Sequence, residues 1–276
     1  LGDRVRFVAI PEYMSEDRKH AFTQGYLENV IEWNERFGAK MVKFWGAPRF
    51  LDYAEESGLD PREVFRFDAP WRMRVAEEAV SRGMMLMVHV ADPDTWFKTT
   101  YAESGRYGTK AEQYESLERL LGAFDVPCMG GWPEDLGFLT GLLERHPKLV
   151  LDTSATKWMV RELSKHPREE LIAFLTRFSG RILFGSDIVT SDDHLAPSDP
   201  ENRRFGSQLA SDEREAFDLY ASRYWAQRVM WETGYEGESP IADPDLAMVE
   251  PEEYDAMSAP RLVGRGLSED MLRVLY

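Results

Sequence analysis

Met84-Met-Leu-Met-Val-His-Val90 has six apolar residues out of seven, and only one kind of strand tolerates that. A strand with one wet face alternates polar and apolar side chains. An unbroken apolar run belongs to a strand covered on both faces, as in a parallel sheet under helices. The residues just before it agree: Asp68 and Pro70 open a helix, Trp71, Val75 and Ala79 form its buried stripe, and Gly83 ends it.

Working outward, the same alternation recurs. Upstream, Arg4-Val-Arg-Phe-Val-Ala-Ile10 and Lys40-Met-Val-Lys-Phe-Trp-Gly46 read as strands. Between them Ser15 caps a helix through Phe37, with Phe22, Tyr26, Val30, Trp33 and Phe37 at helical spacing and Gly38 as its stop. The segment from Gly46 to Asp68 reads as an irregular polar loop. Downstream come a helix over 111–121, a short connection over 125–132 and a helix opened by Pro133 with Leu136, Leu139 and Leu143 on one face. Lys148–Asp152 is a strand, two helical stretches cover 156–165 and 167–178, and Arg181–Asp187 is the last clear strand. Beyond it lie a polar loop over 190–208, a long aromatic-rich helix over 211–231 opened by Ser211, and an irregular Pro-rich tail over 235–265.

Five good strands and a poor one at Val126–Cys128, separated by helices, predict parallel pairing with right-handed crossovers in a single domain over 1–276. An open doubly wound sheet is the alternative. It would carry a glycine-rich turn after its first strand, where this chain has Ile10-Pro-Glu-Tyr13, so the expected architecture is a (β/α) barrel. The chain begins at Leu1 and stops on Met271-Leu-Arg-Val-Leu-Tyr276, which reads as an unfinished helix, so both ends read as cut.

The 276 residues carry 33 Lys and Arg against 49 Asp and Glu, a formal charge of −16. That balance argues against nucleic acid and against an anionic membrane surface, but a local basic cluster can still draw an anionic small molecule. The single cysteine, Cys128, excludes an internal disulfide and fits a reducing cytoplasm. No apolar run approaches the roughly 18 residues of a membrane span. The expectation is a soluble, cytoplasmic protein acting on a small molecule.

Polar residues stand at the C-terminal ends of four apolar strands: Lys43, His89, Asp152 and Asp187. In a barrel those ends converge on one mouth, where active sites are assembled from different strands. His89 is either a metal ligand or a core histidine satisfied by a carbonyl. Asp187 either binds a metal and takes a proton from metal-bound water, or caps a turn. Lys43 orients a substrate carboxylate, bridges two metals if carbamylated, or pairs with a carboxylate inside the barrel. Asp152, with Thr153 and Ser154, serves the site or fixes its loop. Trp45, Trp96 and Trp132 follow strand ends and suit a flat substrate or plain packing. His194 faces a substrate or lies in an exposed loop, whereas His20, His146 and His166 read as surface or capping residues.

Taken in order, His89 with Ala-Asp-Pro-Asp-Thr-Trp-Phe97, Met129-Gly-Gly-Trp-Pro-Glu-Asp135, Leu151-Asp-Thr-Ser-Ala155 and Phe184-Gly-Ser-Asp187 resemble the amidohydrolase superfamily. The nearest likeness is the branch of amidohydrolase-related proteins that includes aminocarboxymuconate-semialdehyde decarboxylase. The resemblance, over about residues 5 to 190, implies a (β/α)8 TIM-like barrel, incomplete at its N-terminus, with residues 190–276 packing on it. It implies a divalent metal, zinc or manganese, with His89 and Asp187 as ligands, and it puts Lys43 where some members carry a functional lysine. Two elements of that pattern are missing. No His-X-His occurs in the chain, and Cys128 stands where a histidine would precede Met-Gly-Gly; it is either a thiolate ligand or a small buried residue. The implied function is a metal-dependent hydrolase for a small aromatic or carboxylate-bearing substrate, with a carboxy-lyase on the same site or a degenerate, non-catalytic barrel as alternatives. The long helix over 211–231, with Phe217, Tyr220, Tyr224, Trp225 and Trp231, closes the barrel or packs against a second copy as a homodimer.

Overall fold

The computed structural model describes residues 5–13, 15–124, 128–129, 131–188 and 212–276, with only the backbone placed at 128–129. The chain divides into two compact units, Leu1–Trp132 with Gly141–Leu151, and Pro133–Thr140 with Asp152–Tyr276. Among the described residues, no helix is long and apolar enough to cross a membrane.

The first unit runs β1 (Val8–Ala9), α1 (Arg18–Phe22), α2 (Gln24–Phe37), β2 (Met41–Trp45), α3 (Phe50–Glu56), α4 (Pro61–Val64), α5 (Pro70–Ser81), β3 (Met85–His89), α6 (Asp94–Lys98), α7 (Ser104–Tyr107), α8 (Lys110–Ala123) and β4 (Cys128–Met129). α9 (Leu136–Arg145) passes from the second unit into the first. The four strands form one sheet in chain order, every neighbouring pair parallel. β2 and β3 pair over their full length, Met41 beside Met85 through to Trp45 beside His89. Val42, Phe44, Leu86 and Val88 point to the covered face and are almost fully buried with Val30, Val75 and Ala79 of α2 and α5. Each such side chain contributes about 1.5–3 kcal/mol of hydrophobic stabilisation. The alternate residues Lys43, Trp45, Met87 and His89 share the opposite, half-buried face.

In the second unit β5 (Leu151–Asp152) starts at the boundary. It is followed by α10 (Thr156–Leu163), α11 (Arg168–Arg177), β6 (Ile182–Leu183), α12 (Glu213–Glu232), β7 (Glu236–Glu238), α13 (Asp245–Val249), β8 (Arg261–Val263) and α14 (Glu269–Leu275). Gln227 and Trp231 of α12 are fully buried, and the Trp231 indole donates to the Gln227 side chain at 3.0 Å. Arg161, buried in α10, pairs with Glu162 at 2.6 Å and with Asp243.

The parallel sheet and the helix–strand alternation follow the sequence reading, and the described sheets have four, two and two strands. Several details differ. The 46–68 segment is not loop but holds α3 and α4, whose Phe50, Ala54 and Val64 join Phe22 and Leu59 in a buried cluster. The first helix is two: Asp17, not Ser15, caps α1 through the His20 N–H at 2.9 Å, and the chain breaks at Thr23, whose hydroxyl turns back onto the Lys19 carbonyl at 2.5 Å. In α5 it is Arg72 that is buried, while Trp71 is half-buried. The tail after 235 is not wholly irregular, because β7 and β8 pair antiparallel there. Gly264, just past β8, allows the close approach: a Cβ on it would lie 2.3 Å from the Thr233 carbonyl oxygen.

Candidate functional site

The site belongs to the first unit, at the C-terminal ends of β2 and β3. Parallel pairing brings both ends to one edge, where open and closed α/β sheets alike place their ligands. Trp45 and His89 are register partners there, their rings 6.4 Å apart. Gly46 lets the chain turn off β2, since a Cβ at this position would stand 2.3 Å from the Phe67 ring. Buried Arg72 holds the strand end from behind, donating to the carbonyls of Trp45 at 2.6 Å and Val64 at 2.7 Å.

The loop after β3 folds back so that Asp92, almost fully buried, lies beside His89. The His89 Nε2 is 2.9 Å from one Asp92 oxygen, and the Tyr101 hydroxyl donates to the other at 2.5 Å. Burial alone would push the Asp92 carboxyl up. The hydrogen bond and charge of His89, the Tyr101 hydroxyl and the charge of Arg49 together outweigh it and hold Asp92 below the ordinary carboxylate value. Burial and the neighbouring Asp92 push the Tyr101 phenol far up, so it stays a donor. An ionised Asp92 can only accept. The proton of a neutral His89 therefore sits on Nε2, and Nδ1 is left as the basic nitrogen.

Arg49, three residues past Gly46, lies over two indoles, 4.9 Å from the centre of the Trp45 ring and 5.4 Å from that of Trp96. Its Nε is buried with no hydrogen-bond partner, and its charge bears on the Asp92 carboxyl. Trp132 instead packs within the unit, stacked on Tyr114 with the Lys110 ammonium 4.6 Å from its centre.

Of the residues singled out from the sequence, His89, Trp45 and Trp96 come together here. Lys43 shares their sheet face two residues before Trp45, and its carbonyl receives the Tyr26 hydroxyl. Asp152 and Asp187 lie in the second unit. The Asp152 carboxylate accepts the Ser154 N–H at 2.7 Å. Asp187 is exposed, sits at φ 50° and offers its carbonyl to Arg223 at 2.5 Å. The loop before it is pinned by Thr156, donating to the Ser186 carbonyl at 2.8 Å, and Gln227, donating to the Gly185 carbonyl at 2.7 Å. His194 lies outside the described residues, as does the side chain of Cys128. The sequence reading missed Asp92, Tyr101 and Arg49. The spacing His89-X-X-Asp92 was the available signal, because a carboxylate three residues past a strand-end histidine needs only one turn of loop to reach it.

Among the described residues, no group of three or more His, Cys, Asp or Glu side chains is arranged to hold a metal ion. Compared with known protein families, curated proteins and solved structures, the chain matches none.

Proposed function

We propose that the chain is an enzyme, a hydrolase or carboxy-lyase of the amidohydrolase type, with His89 as its proton carrier. The observation that carries the reading is the His89–Asp92–Tyr101 chain at the C-terminal edge of a parallel sheet. A buried carboxylate there fixes the tautomer and orientation of a part-buried imidazole. In hydrolysis, Nδ1 takes a proton from the attacking water and returns it to the leaving group. In decarboxylation, the imidazolium protonates the carbon that loses carbon dioxide. Positioned proton transfer of this kind contributes roughly 10²–10⁴-fold in rate.

The finer architecture belongs to the same proposal. Four parallel strands in chain order, with helices between them, are consistent with part of a (β/α)8 barrel. A divalent metal enters through the family resemblance, with His89 and Asp187 as expected ligands. Among the described residues no group of three or more His, Cys, Asp or Glu side chains is arranged to hold it, and the proton steps above are assigned to His89 with Asp92 and Tyr101.

The test is a panel of small amides, esters and aromatic carboxylic acids, followed by product release and by evolved carbon dioxide, with metal content measured by elemental analysis. Wild-type protein turns over a member of the panel and His89→Asn loses at least about 100-fold. Turnover unchanged in His89→Asn, or none by the wild type with and without added zinc or manganese, overturns the reading. Bound metal that Asp187→Ala loses supports the metal-dependent form, and no metal in either protein rejects that form.

A further inference from the structure

We propose that Lys157 is a nucleophilic amine that forms an imine with a small aldehyde or ketone, activated by the guanidinium of Arg223. The inference concerns the second unit and is independent of the His89 reading.

Hydrogen bonds to one short loop place the two cations. Thr156, next to Lys157 at the start of α10, donates to the Ser186 carbonyl at 2.8 Å. Arg223 of α12 donates to the carbonyl of the following residue, Asp187, at 2.5 Å. One turn after Arg223, Gln227 donates to the Gly185 carbonyl at 2.7 Å. Consecutive carbonyls past β6 thus hold α10 to α12 where Lys157 and Arg223 stand, and Arg223 is almost fully buried.

The charge of Lys157 is poorly compensated in this setting. The side chain is half-buried and has no hydrogen bond or ion pair among the described residues. Buried Lys110, by contrast, is paired with Asp94 at 2.8 Å. Asp243 and Asp245 face Lys157 and favour its ammonium, but both carboxylates pair with Arg161, one turn further along α10, as does Glu162. Asp187 acts on Arg223. The first turn of α10 adds positive potential, because it holds no acidic residue and Ala155 supplies no side-chain cap.

A lysine that loses hydration beside a second cation gives up its proton more readily, and the free amine is the nucleophile. Burial, then the charge of Arg223, hold the Lys157 amine below the ordinary lysine value, and the opposite pull of Asp243 and Asp245 does not cancel them. Arginine suits the activating role because it stays charged at any working pH. In the reaction the Lys157 nitrogen attacks the carbonyl carbon and the C–N bond forms. The two nitrogen protons leave with the carbonyl oxygen as water, and adding that water back reverses the step.

The test is reductive trapping of the intact chain with propanal and sodium cyanoborohydride, with each modified lysine quantified by peptide mass spectrometry. Wild type, Lys157→Gln, Arg223→Gln and Arg223→Lys are compared at pH 7 and pH 11, and circular dichroism verifies that each is folded. At pH 7, Lys157 acquires the propyl group at least about tenfold faster than exposed Lys40 and Lys98, as a value one unit lower requires. The advantage shrinks at pH 11, where the other lysines also lose their protons. Arg223→Gln loses most of the advantage and Arg223→Lys keeps it, while Lys157→Gln removes the fast site without changing Lys40 or Lys98. Trapping of Lys157 no faster than that of Lys40 and Lys98 overturns the proposal. So does an advantage equal at pH 7 and pH 11, which reflects access alone, or one unchanged in folded Arg223→Gln.

Discussion

At the residue scale, Asp92 is the group whose environment makes the clearest demand. Its carboxyl is buried, a position that favours the neutral acid, yet His89, Tyr101 and Arg49 reverse that preference and keep it ionised. A carboxyl whose value is lowered on folding stabilises the folded state at every pH above the ordinary carboxylate value of about 3.9, and the contribution disappears as the pH falls through the lower, folded value. Asp92→Asn removes this contribution. Urea unfolding of wild type and variant between pH 7 and pH 3 should therefore show a stability gap that is constant above about pH 5 and narrows below about pH 4. A gap that does not move with pH would mean that the site does not hold Asp92 as a carboxylate. The contrast between Asp92 and the residues found from the sequence is instructive. His89, Trp45 and Trp96 could be picked out because each stands at or just after the end of an apolar strand, a feature written in local order. Asp92 carried a local signal in its spacing from His89, whereas Tyr101 and Arg49 act through where two loops return in space, and only a folded backbone supplies that.

At the scale of single elements, α8 shows how a short sequence sets a boundary. Thr109 accepts the Glu112 N–H at 3.3 Å while the Glu112 carboxylate takes the Thr109 N–H at 2.6 Å, so two of the four free donors at the helix start are satisfied reciprocally. Thr109→Ala is expected to cost about 1 kcal/mol in urea unfolding, and Thr109→Ser to restore most of it. An alanine variant as stable as wild type would show that packing of Leu117 and Leu120 alone sets the helix. Elements of this kind were readable within a few residues, and so were β2, β3 and α5, because an apolar period or run extends over their whole length. What escaped was short or driven by contacts from afar. α3 and α4 are seven and four residues long, and what buries them is an aromatic cluster with Phe22 from α1, not a long period of their own. β7 and β8 have the sequences Glu-Gly-Glu and Arg-Leu-Val, too brief to register as alternation, and pair because the chain returns after more than 20 residues. The shortening of the outer strands to two residues at β1 and β6 likewise reflects which neighbours are there to pair with them, a property absent from strand propensity.

For the molecule as a whole, charge is the property that no single element reveals. Surface pairs such as Arg36 with Glu32, Arg228 with Glu232 and Arg273 with Glu269 are favourable, but each lies on an exposed helix face and contributes about 0.3–0.5 kcal/mol at most. Against them stand 16 uncompensated negative charges that repel one another over the whole surface. Salt weakens both, with opposite effects on stability: screening the pairs lowers it and screening the net repulsion raises it. The screening length falls from about 30 Å at 0.01 M to about 8 Å at 0.15 M, a change that removes long-range repulsion first and leaves contacts at 3 Å largely in place. The thermal midpoint should therefore rise as sodium chloride goes from about 0.01 to 0.3 M, with most of the gain below 0.15 M. Chloride is the salt to use, since sulfate would add stabilisation by exclusion from the surface and obscure the electrostatic part. A midpoint that falls over this range would show that the ion pairs outweigh the net charge. In that case the excess of carboxylates would have to be arranged in space so that it does little harm.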